Sequence, residues 1–175
     1  PLMLNSDKDI IALAQTGTGK TAAFGLPLLQ KINIDSNKVQ VLVLCPTREL
    51  CIQISDDLMD FAKYLDNLKI VPVYGGSSIE TQIRALKHGA QIIVATPGRL
   101  IDLIDRKVAR LDAVSILILD EADEMLNMGF TESITTIMKH LPEERTNMLF
   151  SATMPPEIAH IAKKYMNKPM EVTIG

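Results

Sequence analysis

The chain has 175 residues, 47% of them hydrophobic and 22% charged, with a net charge of −3. It is long enough for one domain with a real core and too apolar for disorder. The acidic balance excludes a general basic coat for nucleic acid and leaves only a local site. No apolar run approaches the roughly 18 residues that span a bilayer.

The opening Pro1-Leu2-Met3-Leu4-Asn5 has neither the basic region nor the long apolar stretch of a signal peptide. With no initiator Met at position 1, the chain reads as an excised piece. The first apolar run, Ile10 to Ala14, predicts a strand. Directly behind it comes Ala14-Gln15-Thr16-Gly17-Thr18-Gly19-Lys20-Thr21, with a helix expected from near Gly19. Further strands are expected at Val39–Cys45, Ile70–Tyr74, Gln91–Ala95, Ser115–Leu119, Thr146–Phe150 and Met170–Ile174. Several are apolar without alternation, which suits strands buried on both faces of a parallel sheet. Between them Leu50, Ile54, Leu58, Phe61 and Leu65 keep helical spacing. So do Ile134, Ile137, Met138 and Leu141, and then Ile158, Ile161, Ala162 and Tyr165 behind Pro155-Pro156. Strand and helix in alternation imply an α/β fold with helices on both faces of the sheet. In such sheets ligands sit beyond the carboxyl ends of the strands.

Two of those ends carry chemistry. Gly19-Lys20-Thr21 fits the end of a G-x-x-x-x-G-K-[ST] phosphate loop, with Ala14 where the first Gly is usual. Gly17 and Gly19 let backbone N–H groups turn toward phosphate oxygens, and the helix start adds the positive end of its dipole. Lys20 is placed to reach the β- and γ-phosphates, and Thr21 to offer a hydroxyl to Mg²⁺. The strand Ser115–Leu119 ends in Asp120-Glu121-Ala122-Asp123. Alone, this acidic cluster is a solvated turn or helix start. Beside a phosphate loop, Asp120 becomes a Mg²⁺-holding acid and Glu121 a residue that polarises an attacking water. Two half-sites on one sheet point to nucleoside-triphosphate hydrolysis.

Asp120–Asp123 spells DEAD and the loop spells AQTGTGKT. With Pro46-Thr47-Arg48-Glu49-Leu50, Gly75-Gly76, Thr96-Pro97-Gly98-Arg99 and Ser151-Ala152-Thr153, the chain resembles the DEAD-box RNA helicases of superfamily 2 over nearly its whole length. Asp120 to Phe130 (DEADEMLNMGF) leans faintly toward the bacterial members. The resemblance implies a three-layer RecA-like P-loop fold, with residues 1–175 as the first of two such domains. It implies ATP and Mg²⁺ as ligands, a cytoplasmic protein, and an RNA-stimulated ATPase that locally unwinds duplexes. Thr16, Gly17, Thr18, Gly19, Lys20 and Thr21 would wrap the phosphates. Thr21 and Asp120 would organise the metal, and Lys20, Asp120 and Glu121 would carry catalysis. Asp123 with Ser151 and Thr153 would couple hydrolysis to strand separation. Pro46, Thr47, Arg48, Gly75, Gly76, Thr96, Gly98 and Arg99 would touch the RNA backbone without reading bases.

The residues support the RNA assignment in part. Thr47, Gly76 and Gly98 each follow a strand and precede a helical pattern, where backbone N–H groups bind phosphate. Taken singly, these elements also read as turns and loops, and Ser151-Ala152-Thr153 as a helix N-cap before Pro155. The family's adenine-recognising Gln element has no match in Pro1–Ala14, and the second domain with its arginine fingers is not in this sequence. The chain by itself is therefore expected to be nearly inactive. The alternative is a nucleotide-gated module that binds RNA or protein without turnover. Cys45 and Cys51 lack metal spacing and make no disulfide framework; both read as buried apolar residues of an intracellular protein. His88, His140 and His160 read as surface residues. The nine methionines read mainly as core, with Met125 and Met128 as a possible face for the second domain if exposed.

Overall fold

A computed structural model describes residues 8–14 and 20–174. β1 (Ile10–Ala14) precedes α1 (Lys20–Gln30), β2 (Val41–Leu44), α2 (Arg48–Phe61), β3 (Ile70–Val73), α3 (Ile79–Lys87) and β4 (Ile92–Ala95). Then come α4 (Pro97–Asp105), β5 (Ile116–Leu119), α5 (Ala122–Asn127), α6 (Thr131–Met138), β6 (Thr146–Ser151), α7 (Pro156–Tyr165) and β7 (Met170–Ile174). All seven expected strands form, each within a residue or two of its apolar run. They make one sheet in the order β3-β4-β2-β5-β6-β1-β7. Every neighbouring pair is parallel.

Alternating side chains divide the core into two layers. Leu42, Ile93, Val71 and Leu117 lie level across four strands and face α3 to α7. Val41, Val43, Ile92, Val94, Ile116 and Ile118 face the other way and pack with Phe24 and Leu28 of α1 and Ile54 and Leu58 of α2. The Phe24 and Phe150 rings tilt at 55° with centroids 5.3 Å apart. Each fully buried Leu, Ile or Phe contributes about 1.5–3 kcal/mol relative to exposure, so both layers are needed. Pro72 sits inside β3, which is tolerated because β3 is an edge strand and its missing N–H costs no inner ladder bond.

Asp9 fastens the far side of the sheet. Its buried carboxylate accepts Asn147 N–H at 2.8 Å, Asn147 Nδ2 at 2.9 Å and Asn167 N–H at 2.6 Å. Its carbonyl accepts Met170 N–H at 2.8 Å. One residue thus ties the entry to β1 to β6 and to the start of β7.

Some expectations need correction. The helix expected through Leu65 ends at Phe61, because the chain tightens into a turn in which Leu65 N–H bonds Ala62 O at 2.7 Å and Asn67 adopts φ 69°. Leu65 is left exposed. Likewise Leu141 is buried just beyond the end of α6. The methionines are less of a core population than expected: Met125, Met138 and Met148 are buried, while Met59 and Met128 are about half exposed. The two cysteines are buried and free, and the three histidines are exposed, as expected. No helix among the described residues is long and apolar enough to cross a membrane.

Candidate functional site

The carboxyl edge of the sheet carries two clusters. The first joins β1, β5 and β6. Thr16, Gly17, Thr18 and Gly19 of the expected phosphate loop lie outside the described residues. Lys20 opens α1 and is buried. Its Nζ donates to Asp120 Oδ1 at 3.1 Å and lies 3.9 Å from Glu121 Oε2. Thr21 follows in the first turn of α1 and is half-buried. Asp120 is delivered by β5, whose four residues are all buried, and is itself buried. Its Oδ1 also accepts Glu121 N–H at 2.9 Å.

Glu121 adopts φ 49°, ψ 51°, the left-handed region that disfavours a side chain. This kink caps α5 and turns the carboxylate back toward Lys20. Non-glycine residues held there cost of order 1–3 kcal/mol and cluster at functional sites. Burial pushes the Asp120 carboxyl up from its ordinary range, against the opposing pull of Lys20. Glu121 is also raised, first by burial and then by Asp120, Glu124 and Asp123, with Lys20 opposing. A raised carboxylate is a better proton acceptor near neutral pH.

Asp123, in the first turn of α5, reaches across to the end of β6. Its Oδ2 accepts Thr153 Oγ1 at 2.9 Å and Thr153 N–H at 3.2 Å. Burial favours a higher pKa, but hydrogen bonds from Thr153 and from Glu124 N–H outweigh it and hold Asp123 below its ordinary range. Ser151 Oγ donates to Thr153 O at 2.6 Å. Neither Ser151 nor Thr153 caps α7; Pro155 takes that position and no side chain caps it. The N-cap reading of this segment is therefore replaced by a bridge between α5 and β6.

The second cluster lies beyond the neighbouring strands β2, β4 and β3. Pro46 is buried. Thr47 is the N-cap of α2 and accepts Leu50 N–H at 3.2 Å. Thr96 is the N-cap of α4, with Pro97, Gly98 and Arg99 in its first turn. Gly76 adopts φ 77° and precedes the α3 N-cap, Ser78, by two residues. It is thus not at a helix start, unlike Thr47 and Gly98. Arg48 Nη1 donates to Gly76 O at 3.3 Å, with its guanidinium 5.1 Å from the Tyr74 ring centre. Arg99 Nη1 donates to Ser77 O and to Gln82 Oε1, each at 3.1 Å. Both arginines therefore grip one loop. A Cβ added at Gly75 or Gly98 meets nothing within 4 Å among the described residues, so neither glycine is required by packing against them.

This geometry can be set against known proteins. The DEAD/DEAH box helicase family model matches residues 1–161. The chain belongs to that family. It is 53% identical over 174 residues to the DEAD-box ATP-dependent RNA helicase CshA of Geobacillus kaustophilus, covering 99% of this chain and 37% of that protein. Against CshA of Streptococcus pneumoniae serotype 4 the identity is 55% over 175 residues, covering 100% of this chain and 33% of that one. A DEAD box protein from Methanococcus jannaschii superposes with a TM-score of 0.92 at 46% identity, covering 99% of this chain and 47% of that one. The yeast DEAD-box splicing factor Prp28 gives 0.91 at 35%, covering 98% and 42%. The chain thus spans about a third of the length of these curated relatives. The sheet and its two helical layers are the RecA-like domain of DEAD-box helicases. The bacterial relatives agree with the lean read from Asp120–Phe130.

Two residues of this DEAD-box domain escaped the motif reading. Gln82 is buried on α3, where it accepts from Arg99 and donates through Nε2 to Tyr74 O at 3.0 Å. Tyr74 carries the Arg48 contact. The signal was present: Gln82 occupies a place in the Ile79, Ile83, Leu86 stripe where an apolar residue is usual. Met125 is fully buried, so it offers no face to a second domain, whereas Met128 is exposed.

Among the described residues no group of three or more His, Cys, Asp or Glu forms a metal site. A Mg²⁺ ion fits the cluster nonetheless. Mg²⁺ takes one or two protein oxygens and completes its shell with phosphates and water. Asp120 and Thr21 are hard oxygen donors of that kind.

Proposed function

We propose that this domain binds ATP·Mg²⁺ at the β1–β5–β6 cluster and the RNA backbone at the β2–β4–β3 cluster. On this reading the parent protein is an RNA-stimulated ATPase that locally separates RNA duplexes in the cytoplasm. The observation that carries it is the division of one sheet edge: Lys20, Asp120 and Glu121 converge on one half, Arg48 and Arg99 on the other. β2 and β5, the adjacent central strands, join the halves.

The 16–19 backbone and Lys20 would hold the phosphates. Thr21 and Asp120 would hold Mg²⁺, which neutralises charge developing on the phosphate oxygens. Glu121 would take a proton from water as that water attacks the γ-phosphorus and the bond to the β-phosphate oxygen breaks. Asp123 and Thr153 would carry the state of this half to the end of β6. RNA contacts through Thr47, Gly75, Gly76, Thr96, Gly98, Arg48 and Arg99 would be made by N–H groups and guanidiniums, which bind phosphate without reading sequence.

A second RecA-like domain would close over the edge, with exposed Met128 as part of the docking face. It would supply an arginine finger, worth about 10³–10⁵ in rate. Neither Arg110 nor Arg145 is placed for that role here. Arg145 is bound to Asn147 Oδ1 and Pro142 O, and Arg110 lies at the opposite edge. The isolated chain would therefore turn over little.

The test is titration of single-stranded RNA by fluorescence anisotropy, with Gly98→Ala beside the unaltered protein. Beyond its own helix, an added Cβ meets no atom of the described residues within 4 Å, and Ala for Gly within a helix favours folding by up to about 1 kcal/mol. Melting temperature is expected to hold or rise while RNA affinity falls by about tenfold or more. Unchanged RNA affinity would contradict the assignment of this edge. Gln82→Leu fills a similar volume but removes one of the two bonds that hold Arg99, leaving the one to Ser77 O, and leaves Tyr74 O without its Gln82 donor. One lost hydrogen bond predicts about a tenfold loss of RNA affinity, with Mg²⁺-nucleotide affinity unmoved in the same assay format.

A further inference from the structure

At the opposite edge of the sheet lies a cavity of about 590 Å³, where Val39 leads into β2 and Ala90 into β4. Its rim carries Lys38, Lys87, Arg106, Lys107 and Arg110, against a single carboxylate, Asp112. Five of the chain's 18 lysines and arginines thus surround one cavity in a protein of net charge −3. Arg106 pairs with Asp102 at 3.0 Å. The other four make no ion pair within 4.0 Å among the described residues, although Asp112 shares their cavity.

Cations at helix C-termini offset the helix dipole, and this accounts for Lys87 at the end of α3 and Arg106 behind α4. It accounts for Lys107, the next residue after Arg106, in the same way, but not for Lys38 or Arg110, which lie away from the helix ends. Lys107, at φ 60°, is the left-handed residue that ends α4: its N–H bonds Ile104 O at 2.9 Å and Val108 N–H bonds Leu103 O at 3.0 Å. Beneath the charges the floor is aliphatic, from buried Val39 and Ala109 with Leu86 and Val108.

The floor decides between occupants. Single-stranded nucleic acid is held by basic grooves with aromatic rings on which bases stack, and no aromatic residue lines this cavity. A phosphate backbone has nothing to place on an aliphatic floor. A cationic rim over an aliphatic floor matches a carboxylate-bearing segment with an aliphatic side chain, and the volume falls in the range of ordinary ligand pockets. We propose that this cavity docks an acidic peptide segment of a partner protein, anchored by a Leu- or Ile-like side chain. Because the site lies across the sheet from the ATP and RNA clusters, such a partner could bind while both are engaged.

The probe is a short fluorescent peptide of Glu, Asp and Leu, titrated onto this chain, with a second peptide in which Ser replaces every Leu. Lys107→Glu/Arg110→Glu reverses two exposed charges, and circular dichroism checks its fold. Binding of the Leu peptide is expected to weaken about tenfold or more in the charge-reversed protein and with rising salt. The Ser peptide is expected to bind several-fold more weakly to the unaltered protein, a comparison that needs no variant to fold. Single-stranded RNA is expected not to displace the Leu peptide. Equal binding of the two peptides, or indifference to charge reversal, overturns the proposal. Displacement by RNA, with RNA affinity itself lost on charge reversal, also overturns it and makes the patch a nucleic-acid surface.

Discussion

In a protein carrying both domains, Glu121→Gln is expected to lower RNA-stimulated ATP hydrolysis by about 10²–10⁴-fold, the range of a lost general base. Gln keeps the shape and can hold the same left-handed backbone, so the kink that starts α5 survives. Lys20 keeps its 3.1 Å bond to Asp120. Affinity for Mg²⁺-nucleotide should therefore stay within a few-fold of the unaltered protein. Turnover by phosphate release and affinity by nucleotide fluorescence separate the two effects. Asp120→Asn is the informative contrast. It removes the nearer of the two carboxylates beside a buried lysine, leaving Glu121 at 3.9 Å, so that variant should lose stability, by less than the roughly 3–5 kcal/mol of a fully broken buried pair, as well as metal. Loss of nucleotide affinity in Glu121→Gln equal to its loss of rate would show that Glu121 holds the nucleotide rather than the water.

Asp9→Ala is expected to be the most damaging change outside the site. It leaves the Asn147 N–H, Asn147 Nδ2 and Asn167 N–H without their acceptor, two of them inside the sheet. Asn147 Nδ2 retains only a 3.3 Å bond to Tyr165 O. Hydrogen bonds to a carboxylate contribute about 1.5–3 kcal/mol each, and the sum is not additive, so a loss of about 3–5 kcal/mol is expected. That is a large fraction of the stability of a domain of this size. Urea unfolding should show a lower midpoint with an unchanged slope. A shift of a few tenths of a kcal/mol would mean that the sheet holds β6 and β7 without this fastening.

The strands were legible because each is a short apolar run without alternation, and only a sheet covered on both faces buries such runs. The same logic singled out Asp120 and Glu121 as candidates, since an apolar strand ending in Asp-Glu lies at the carboxyl edge of the sheet, where ligands bind in parallel sheets. Other features depend on partners distant in the chain. Asp9 is one acid among many until Asn147 and Asn167 arrive beside it. Gln82 becomes informative only when α3 lays it between Tyr74 and Arg99. The left-handed turn at Glu121 has no local signature, because Glu is not a residue that favours it. Met125 and Met128 look alike in sequence, yet α5 buries the first and exposes the second. Leu65 keeps the helical period and still falls outside α2, because the turn at Ala62 tightens before the period is used.

The central claim is that one edge of this sheet couples ATP hydrolysis to RNA. RNA-stimulated phosphate release by the longer protein tests it most directly, with this chain alone measured alongside. The account predicts a rate raised by RNA of any sequence in the longer protein and almost none in the chain by itself. A longer protein that binds Mg²⁺-nucleotide yet hydrolyses nothing with any RNA would contradict it, and the domain would then be a nucleotide-gated binding module.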